Sequence, residues 1–438
     1  MQKLNIAVLG SGVSGLSAAW LLAKSHNVTV FEADRRLGGH AHTELVDKVS
    51  VDVGFIVFNE KTYPNFTAML RHLGVATDEA EMGFAVSLNG GKIEYAGSSL
   101  RQILGSPRNA LSRSHWAMMA DIARFYRTAK LLAQDLDDDV SLGAFLEKHK
   151  FSRAFIDRHL IPMAAAIWSS HPGYMLDYPA KAFITFFDNH QLLNLGTRDK
   201  WRSVAGGSQN YVAKLLKGQK LHSGDAVTKV TRLSQGVKIS CASGYSAHFD
   251  QVVLATHADQ TLRLIDQPSS EETNLLGHFR YSNNTVILHR DASLMPKRKT
   301  YWSSWNYIGD LGSDHCGVTY WMNALQKLNT KTNHFVSLNP VRLPHSHLTD
   351  LSFACTHPLF DCHTLKAQRD LWSLQGQQNI WFCGAYFGAG FHEDGLQSGL
   401  AVAEQLGGIE RLWTVPNPSS RITVKNNYAS HPVLMAAE

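Results

Sequence analysis

The sequence predicts a mixed α/β fold in which an open, mostly parallel domain is interrupted by an α+β insertion. Three observations predict it. The chain starts with a strand, a glycine turn and an amphipathic helix; a second strand, glycine loop and helix occupies 380–407; and a helical stretch followed by aromatic β segments lies between them.

The first element reads LNIAVLGSGVSG over 4–15, with Gly10, Gly12 and Gly15 spaced G-x-G-x-x-G ahead of LSAAWLLAKS. Gly10 permits the tight strand-to-helix turn, Gly12 lets backbone approach a pyrophosphate, and Gly15 lets the helix sit close on its strand. Val13 and Ser14 open the helix, whose free N–H groups and dipole favour an anion. The following strand, VTVFEA, ends at Glu32, placed for a ribose hydroxyl. Strand, helix, strand and acid in that order specify a Rossmann-type dinucleotide site.

After Glu32 and Ala33 the chain continues D-R-R-L-G-G-H-A-H-T, so Glu32, Arg36, Gly38, Gly39 and Thr43 fit E-x-x-x-R-x-G-G-x-x-x-T. This segment resembles the double-glycine extension of the flavoprotein superfamily that includes amine oxidases, protoporphyrinogen oxidase and phytoene desaturase. The resemblance implies a GR2-like FAD-binding domain of amine oxidase fold with an inserted substrate domain, and FAD held non-covalently. It also implies cofactor contacts at His40, at Gly54, Phe55 and Ile56, and at Val227 and Thr256. In IWFCGAYFGAGFHEDGLQSGL it implies contacts at Gly384, Ala385, Asp394, Gly395, Leu396 and Ser398, with the closing helix starting near Gly395. Two departures stand out: His40 occupies a position where many members carry arginine, and Ala385 one where many carry an acid.

Composition excludes several classes. The chain has 438 residues, long for a single core, with 44% hydrophobic and 18% charged residues. No run of eighteen apolar residues occurs, and the first strand begins by residue 4, so a cytoplasmic protein is expected. Five cysteines without a C-x-x-C pair read as reduced and structural. A net charge of +5 spread along the chain gives no reason to expect nucleic acid. His40 and His42 form an H-x-H pair lacking a third ligand nearby, so no metal is expected.

The order of patterns divides the chain into a first FAD segment at 1–82, a helix-rich substrate segment at 83–204 and a second FAD segment at 205–264. A substrate sheet follows at 265–375, then a third FAD segment at 376–413 and a loosely packed extension at 414–438. Asn89-Gly90-Gly91 marks a hairpin within 83–97, and WAMMADIARFYRTAKLLAQDL keeps an apolar helical face.

The strings VDVGFIVFNEKTYPNF, HLIPMAAAIWSSHP, WSSWNY, YWMNALQ and GFHEDGLQSGL resemble a bacterial subgroup of FAD-binding oxidoreductases, amine-oxidase-like, often associated with cyclopropane-fatty-acid-synthase-like methyltransferases. That association implies a lipid acyl chain as substrate, with peripheral contact at the inner membrane face. Hydride transfer to a flavin needs a dry, shaped chamber more than covalent machinery. Trp168, Trp302, Trp305, Tyr307, Tyr320 and Trp321 are the candidate walls. Asn306 and Asn323 need hydrogen-bond partners among those aromatics, which substrate or flavin would supply. By resemblance to the amine-oxidase lysine, Lys299 is a candidate near the flavin; His392 is a candidate proton donor or acceptor, with Glu393 and Asp394 as helix caps.

The expected reaction is dehydrogenation or desaturation of an apolar substrate, with a flavin-dependent double-bond isomerase or a strict amine oxidase as alternatives. No second G-x-G-x-x-G unit is present for NAD(P)H, so oxygen, a quinone or another acceptor is expected to reoxidise the flavin.

Overall fold

The computed structural model describes residues 3–97, 99–106, 109, 111–168, 172–189, 192–193, 199–312 and 316–425. The apolar run Asn5–Leu9 is the central strand of a five-stranded parallel sheet. Its neighbours are Asn27–Glu32 on one side and Gln251–Leu254 on the other, with Lys220–Ser223 and Ile380–Phe382 at the edges. Four of its core residues, Ile6, Ala7, Val8 and Leu9, are at most 2% exposed, as a sheet covered on both faces requires. A strand from 380–382 thus lies in the sheet begun at residue 5, so both glycine turns open on the same edge.

The first helix, Val13–Leu22, is buried along its whole length, and the C-terminal helix, His392–Gly407, crosses it at glycines. A Cβ on Gly399 would stand 2.1 Å from Ser14 O and 2.4 Å from Ser17 Oγ of the first helix, so only glycine allows this crossing. The C-terminal helix begins at His392, three residues ahead of the expected Gly395, because Asp394 Oδ2 accepts from Phe391 N at 2.8 Å and closes its first turn.

A second sheet has seven strands in the order Thr349–Leu359, Arg280–His289, Phe335–Leu338, Cys316–Trp321, Trp305–Gly309, Phe84–Leu88 and Ile93–Ala96. The hairpin expected within 83–97 forms its edge, turning at Asn89 and Gly90 with φ of +52° and +63°. Opposite it stand the helices Arg113–Leu132, Ile161–Trp168 and Ala180–Asn189, whose core includes Phe125, Phe155, Phe183 and Phe187. The segment 49–59 forms two short strands, Val49–Asp52 and Val57–Asn59, split at Gly54. A Cβ there would come 2.1 Å from His40 O, and Phe55 N donates to that same carbonyl, so the chain bends towards the double-glycine loop.

The stretch after Trp413, expected to be loosely packed, is docked as far as Lys425. Arg421 pairs with buried Asp394 through Nε–Oδ1 at 2.5 Å and donates to Thr62 O, and Arg421 N donates to Gln397 Oε1. No helix among the described residues is long and apolar enough to cross a membrane.

Candidate active site

One cavity of about 750 Å³ runs between the two sheets. Its nucleotide end is the edge where Gly10, Gly12, Val13, Ser14, Glu32, Ala33 and Arg36 meet Gly39, Val227 and Thr256. Gly10 has φ +105°, and a Cβ on Gly15 would lie 2.0 Å from Gly10 O, so the turn exists only with glycine at both positions. Gly12 differs: a Cβ there meets nothing within 4 Å because it would project into the cavity. Across the cradle, a Cβ on Gly39 would approach Gly12 Cα to 2.9 Å. Glu32 closes the end of its strand, accepting from Ser11 N at 2.8 Å and Ser11 Oγ at 2.6 Å.

These features fit FAD. The cradle is bare backbone at a helix N-terminus, which suits a pyrophosphate, and a carboxylate stands at the adjacent strand end, which suits a ribose diol. The flavin would extend from there towards Gly54, Phe55, Ile56, Gly384 and Ala385, all of which line the cavity.

The remaining expected contacts lie behind this surface. Thr43 donates to buried Asp52, a hub that also accepts from Ser208 N and Oγ and from Gln326 Nε2. Burial pushes the Asp52 carboxyl up to about 6 against these donors. Gly38, at φ +113°, would clash through a Cβ with Ala41 O, and it shapes the loop without lining the cavity. A Cβ on Gly395 would come 3.0 Å from both Val13 and Ser14, Leu396 is core, and Ser398 Oγ bonds the Gly384 backbone. Asp394 is wholly buried and committed to Arg421 and Phe391 N. Like Gly15 and Thr43, these five lie behind the cavity surface.

His392 lines the cavity at the start of the C-terminal helix. Its Nε2 lies 2.7 Å from Tyr211 Oη and its ring stacks on Phe55 at 3.9 Å, while burial lowers its pKa to about 3. It is therefore a neutral wall of the site across the neutral range. Glu393 turns the other way: fully buried, it accepts from Asn65 N, Asn65 Nδ2 and Phe66 N, so it caps the helix Pro64–His72 rather than its own.

Two expected catalytic positions are corrected by the geometry. Asn306 is 0% exposed, but its amide is saturated by Ser303 N, Ser303 O and Thr319 O, so it braces strands and does not line the cavity. Asn323 is likewise spent on Thr332 O and His334 N. Lys299 sits exposed on a short 3-10 turn, its Nζ 5.5 Å from the Trp302 ring, outside the cavity. No lysine is among the described lining residues.

The aromatic candidates divide between the cavity wall and the packing behind it. Trp305 and Tyr320 line the chamber, edge to face at 5.2 Å, and Trp168 faces them from the helical side. Trp302 and Trp321 pack on each other behind the sheet, with indole N–H groups on Pro296 O and Asn333 Oδ1, and Tyr307 belongs to the core. Chain order does not say which face of each strand meets the cavity; sheet pairing does. His257, His357 and Tyr281 also line the cavity and carry no motif that would have marked them.

Away from the cavity, His222, Asp225 and Cys241 bring ligand atoms within 4.8 Å of one another. Asp225 is engaged there by Ser243 N, Ser243 Oγ and His222. Cys241, Cys355, Cys362 and Cys383 are free thiols.

The cradle and chamber agree with the comparisons. The model of the flavin-containing amine oxidoreductase family matches residues 13–407. The chain belongs to this family. It is an FAD-dependent enzyme of the oxidoreductase type. AofH of Mycobacterium tuberculosis, provisionally named a flavin-containing monoamine oxidase, is 25% identical over 334 residues, covering 72% of this chain and 69% of that protein. Putrescine oxidase bound to putrescine superposes with a TM-score of 0.68 at 15% identity, covering 92% of this chain and 99% of the other. A fatty acid isomerase from P. acnes that produces conjugated linoleic acid superposes with a TM-score of 0.65 at 15% identity, covering 92% and 98%. At such identities these two structures show the amine oxidase fold alone.

Proposed function

We propose that this family member removes hydride from a C–H bond of an apolar substrate, such as a modified acyl chain, as a dehydrogenase or desaturase. The observation that carries this reading is the chamber beyond Phe55 and His392. Its floor comes from Phe84, Val286, Trp305, Val336 and Leu338 of the seven-stranded sheet, and its roof from Met163, Ile167, Trp168 and Phe186. Bound FAD supplies the hydride acceptor. The chain's own part is to exclude water, align an apolar substrate between floor and roof, and keep His392 neutral beside the reacting region. Exposure of this chamber to an acyl chain is consistent with peripheral contact at a membrane surface, and oxygen or a quinone is the proposed reoxidant.

A second reading, oxidation of an amine, rests on Asp199. It is the one carboxylate among the described lining residues outside the nucleotide end, next to Trp201. A carboxylate there would attract an ammonium group.

Anaerobic mixing of the flavin-loaded enzyme with acyl lipids and with amines separates these readings. Lasting bleaching of the visible flavin band by a lipid, unaffected by Asp199→Asn, supports the proposal. Lipid product without lasting bleaching makes the enzyme an isomerase. Bleaching by amines alone, lost in Asp199→Asn, overturns the proposal in favour of the second reading.

A further inference from the structure

Three imidazoles, those of His40, His257 and His357, stand on the cavity wall. His40 follows the double glycine that abuts Gly12, and His257 follows Thr256, whose N lies 3.5 Å from where a Gly10 Cβ would be. Both therefore flank the glycine cradle. The His40 ring centroid is 5.9 Å from that of His257 and 5.5 Å from that of His357, so His40 is the centre of the group.

The outer two rings are fixed by their neighbours. His257 stacks on Tyr281 at 4.3 Å, with Nδ1 3.1 Å from Thr356 Oγ1. His357 Nδ1 lies 2.9 Å from Asn284 Nδ2, and that same amide nitrogen reaches Ser282 O at 3.2 Å. A carbonyl only accepts, so the nitrogen of Asn284 faces it and donates to His357 Nδ1 as well. The His357 proton is thus on Nε2. Among the described lining residues Arg36 carries the one guanidinium, and it donates to Ala41 O.

We propose that His40, between His257 and His357, is a proton-linked anion clamp: the cluster takes up a proton when the pyrophosphate of FAD enters the cradle. This rests on the FAD site described above.

Without the dinucleotide the three imidazoles are neutral. Burial lowers His40 below its ordinary value, His257 to about 4 and His357 to about 3. Arg36, His42 and His392 add positive potential when charged, whereas Asp259 opposes it; Tyr281 and Cys355 stay protonated. Two phosphate charges would favour imidazolium, and repulsion between neighbouring rings limits the cluster to about one shared proton. Affinity for FAD then falls with rising pH by up to about tenfold per pH unit while the bound cluster keeps its proton, and levels off once that cluster deprotonates.

Calorimetric titration of the FAD-free protein with FAD, near neutral pH in buffers of different ionisation enthalpy, reads proton uptake directly. Uptake approaching one proton is expected, and His40→Arg, with a permanent charge, should bind FAD without it. Flavin fluorescence of the loaded protein gives a second measure, with release accelerating as pH rises in the parent and pH-independent in His40→Arg. Binding of FAD with identical enthalpy in every buffer overturns the clamp while leaving the FAD site standing, as does undiminished uptake in His40→Arg. Failure of the protein to bind FAD overturns both.

Discussion

The Nε2 of His392 lies 2.7 Å from the Tyr211 hydroxyl, and the His392 ring lies flat on Phe55 at 3.9 Å. The imidazole is held on one face and at one edge by groups from distant parts of the chain. Its place at a helix N-terminus and its burial both disfavour protonation.

His392 therefore does not set the pH dependence of the reaction. In His392→Gln the shape of the pH profile for flavin reduction between about pH 5 and 8 is expected to match the parent, even where the rate falls. Stopped-flow reduction over that range checks it. Loss of an ionisation limb in the variant would contradict the neutral assignment.

Two glycines of the cradle, Gly12 and Gly15, should separate binding from folding. Gly12→Ala leaves the melting temperature of the FAD-free protein unchanged, since its Cβ meets nothing within 4 Å, but weakens FAD binding by at least about tenfold. Gly15→Ala, whose Cβ would press on Gly10 O at 2.0 Å, lowers stability itself. Thermal melts with and without FAD distinguish the two.

Acid should destabilise the FAD-free protein. His257 and His289 are lowered to about 4 and His357 and His392 to about 3, all mainly by burial. A histidine whose folded pKa is depressed leaves stability intact above its unfolded value near 6.5. As pH falls below that value the unfolded chain binds more protons, at a cost of at most about 1.4 kcal/mol per pH unit for each such group. Denaturant melts from neutral to mildly acidic pH should show this loss. His289→Gln should reduce the slope whether or not FAD is bound, because His289 pairs with Ser337 outside the cavity.

Two buried carboxylates side by side hold different parts of the fold. Glu393→Ala strands the N–H groups of Asn65 and Phe66 and should cost about 3 kcal/mol. Arg421→Ala leaves Asp394 charged and buried, a loss of about 3 to 5 kcal/mol, and Asp394→Asn should recover part of it. Urea melts of the single and double variants measure both.

The nucleotide half was largely legible because its determinants are local. Glycine spacing, a strand-ending acid and a double glycine each act on backbone within a few residues. Lys299, Asn306 and Trp302 differ from expectation for the opposite reason, because contacts across the fold decide them: Lys299 and Trp302 fall on a 3-10 turn before the strand, and Asn306 finds its hydrogen bonds in Ser303 and Thr319. The histidines at 40, 257 and 357 belong to three separated segments, so no motif unites them.

By itself, then, the sequence determined a glycine cradle suited to a dinucleotide at the start of the first helix, because turns that only glycine can make are written in consecutive residues. Only the tertiary structure decided which side chains meet around it. Sheet register, the glycine crossing of the two long helices and burial of Asp394 and Glu393 turn some candidates into the cavity wall and others into the frame behind it.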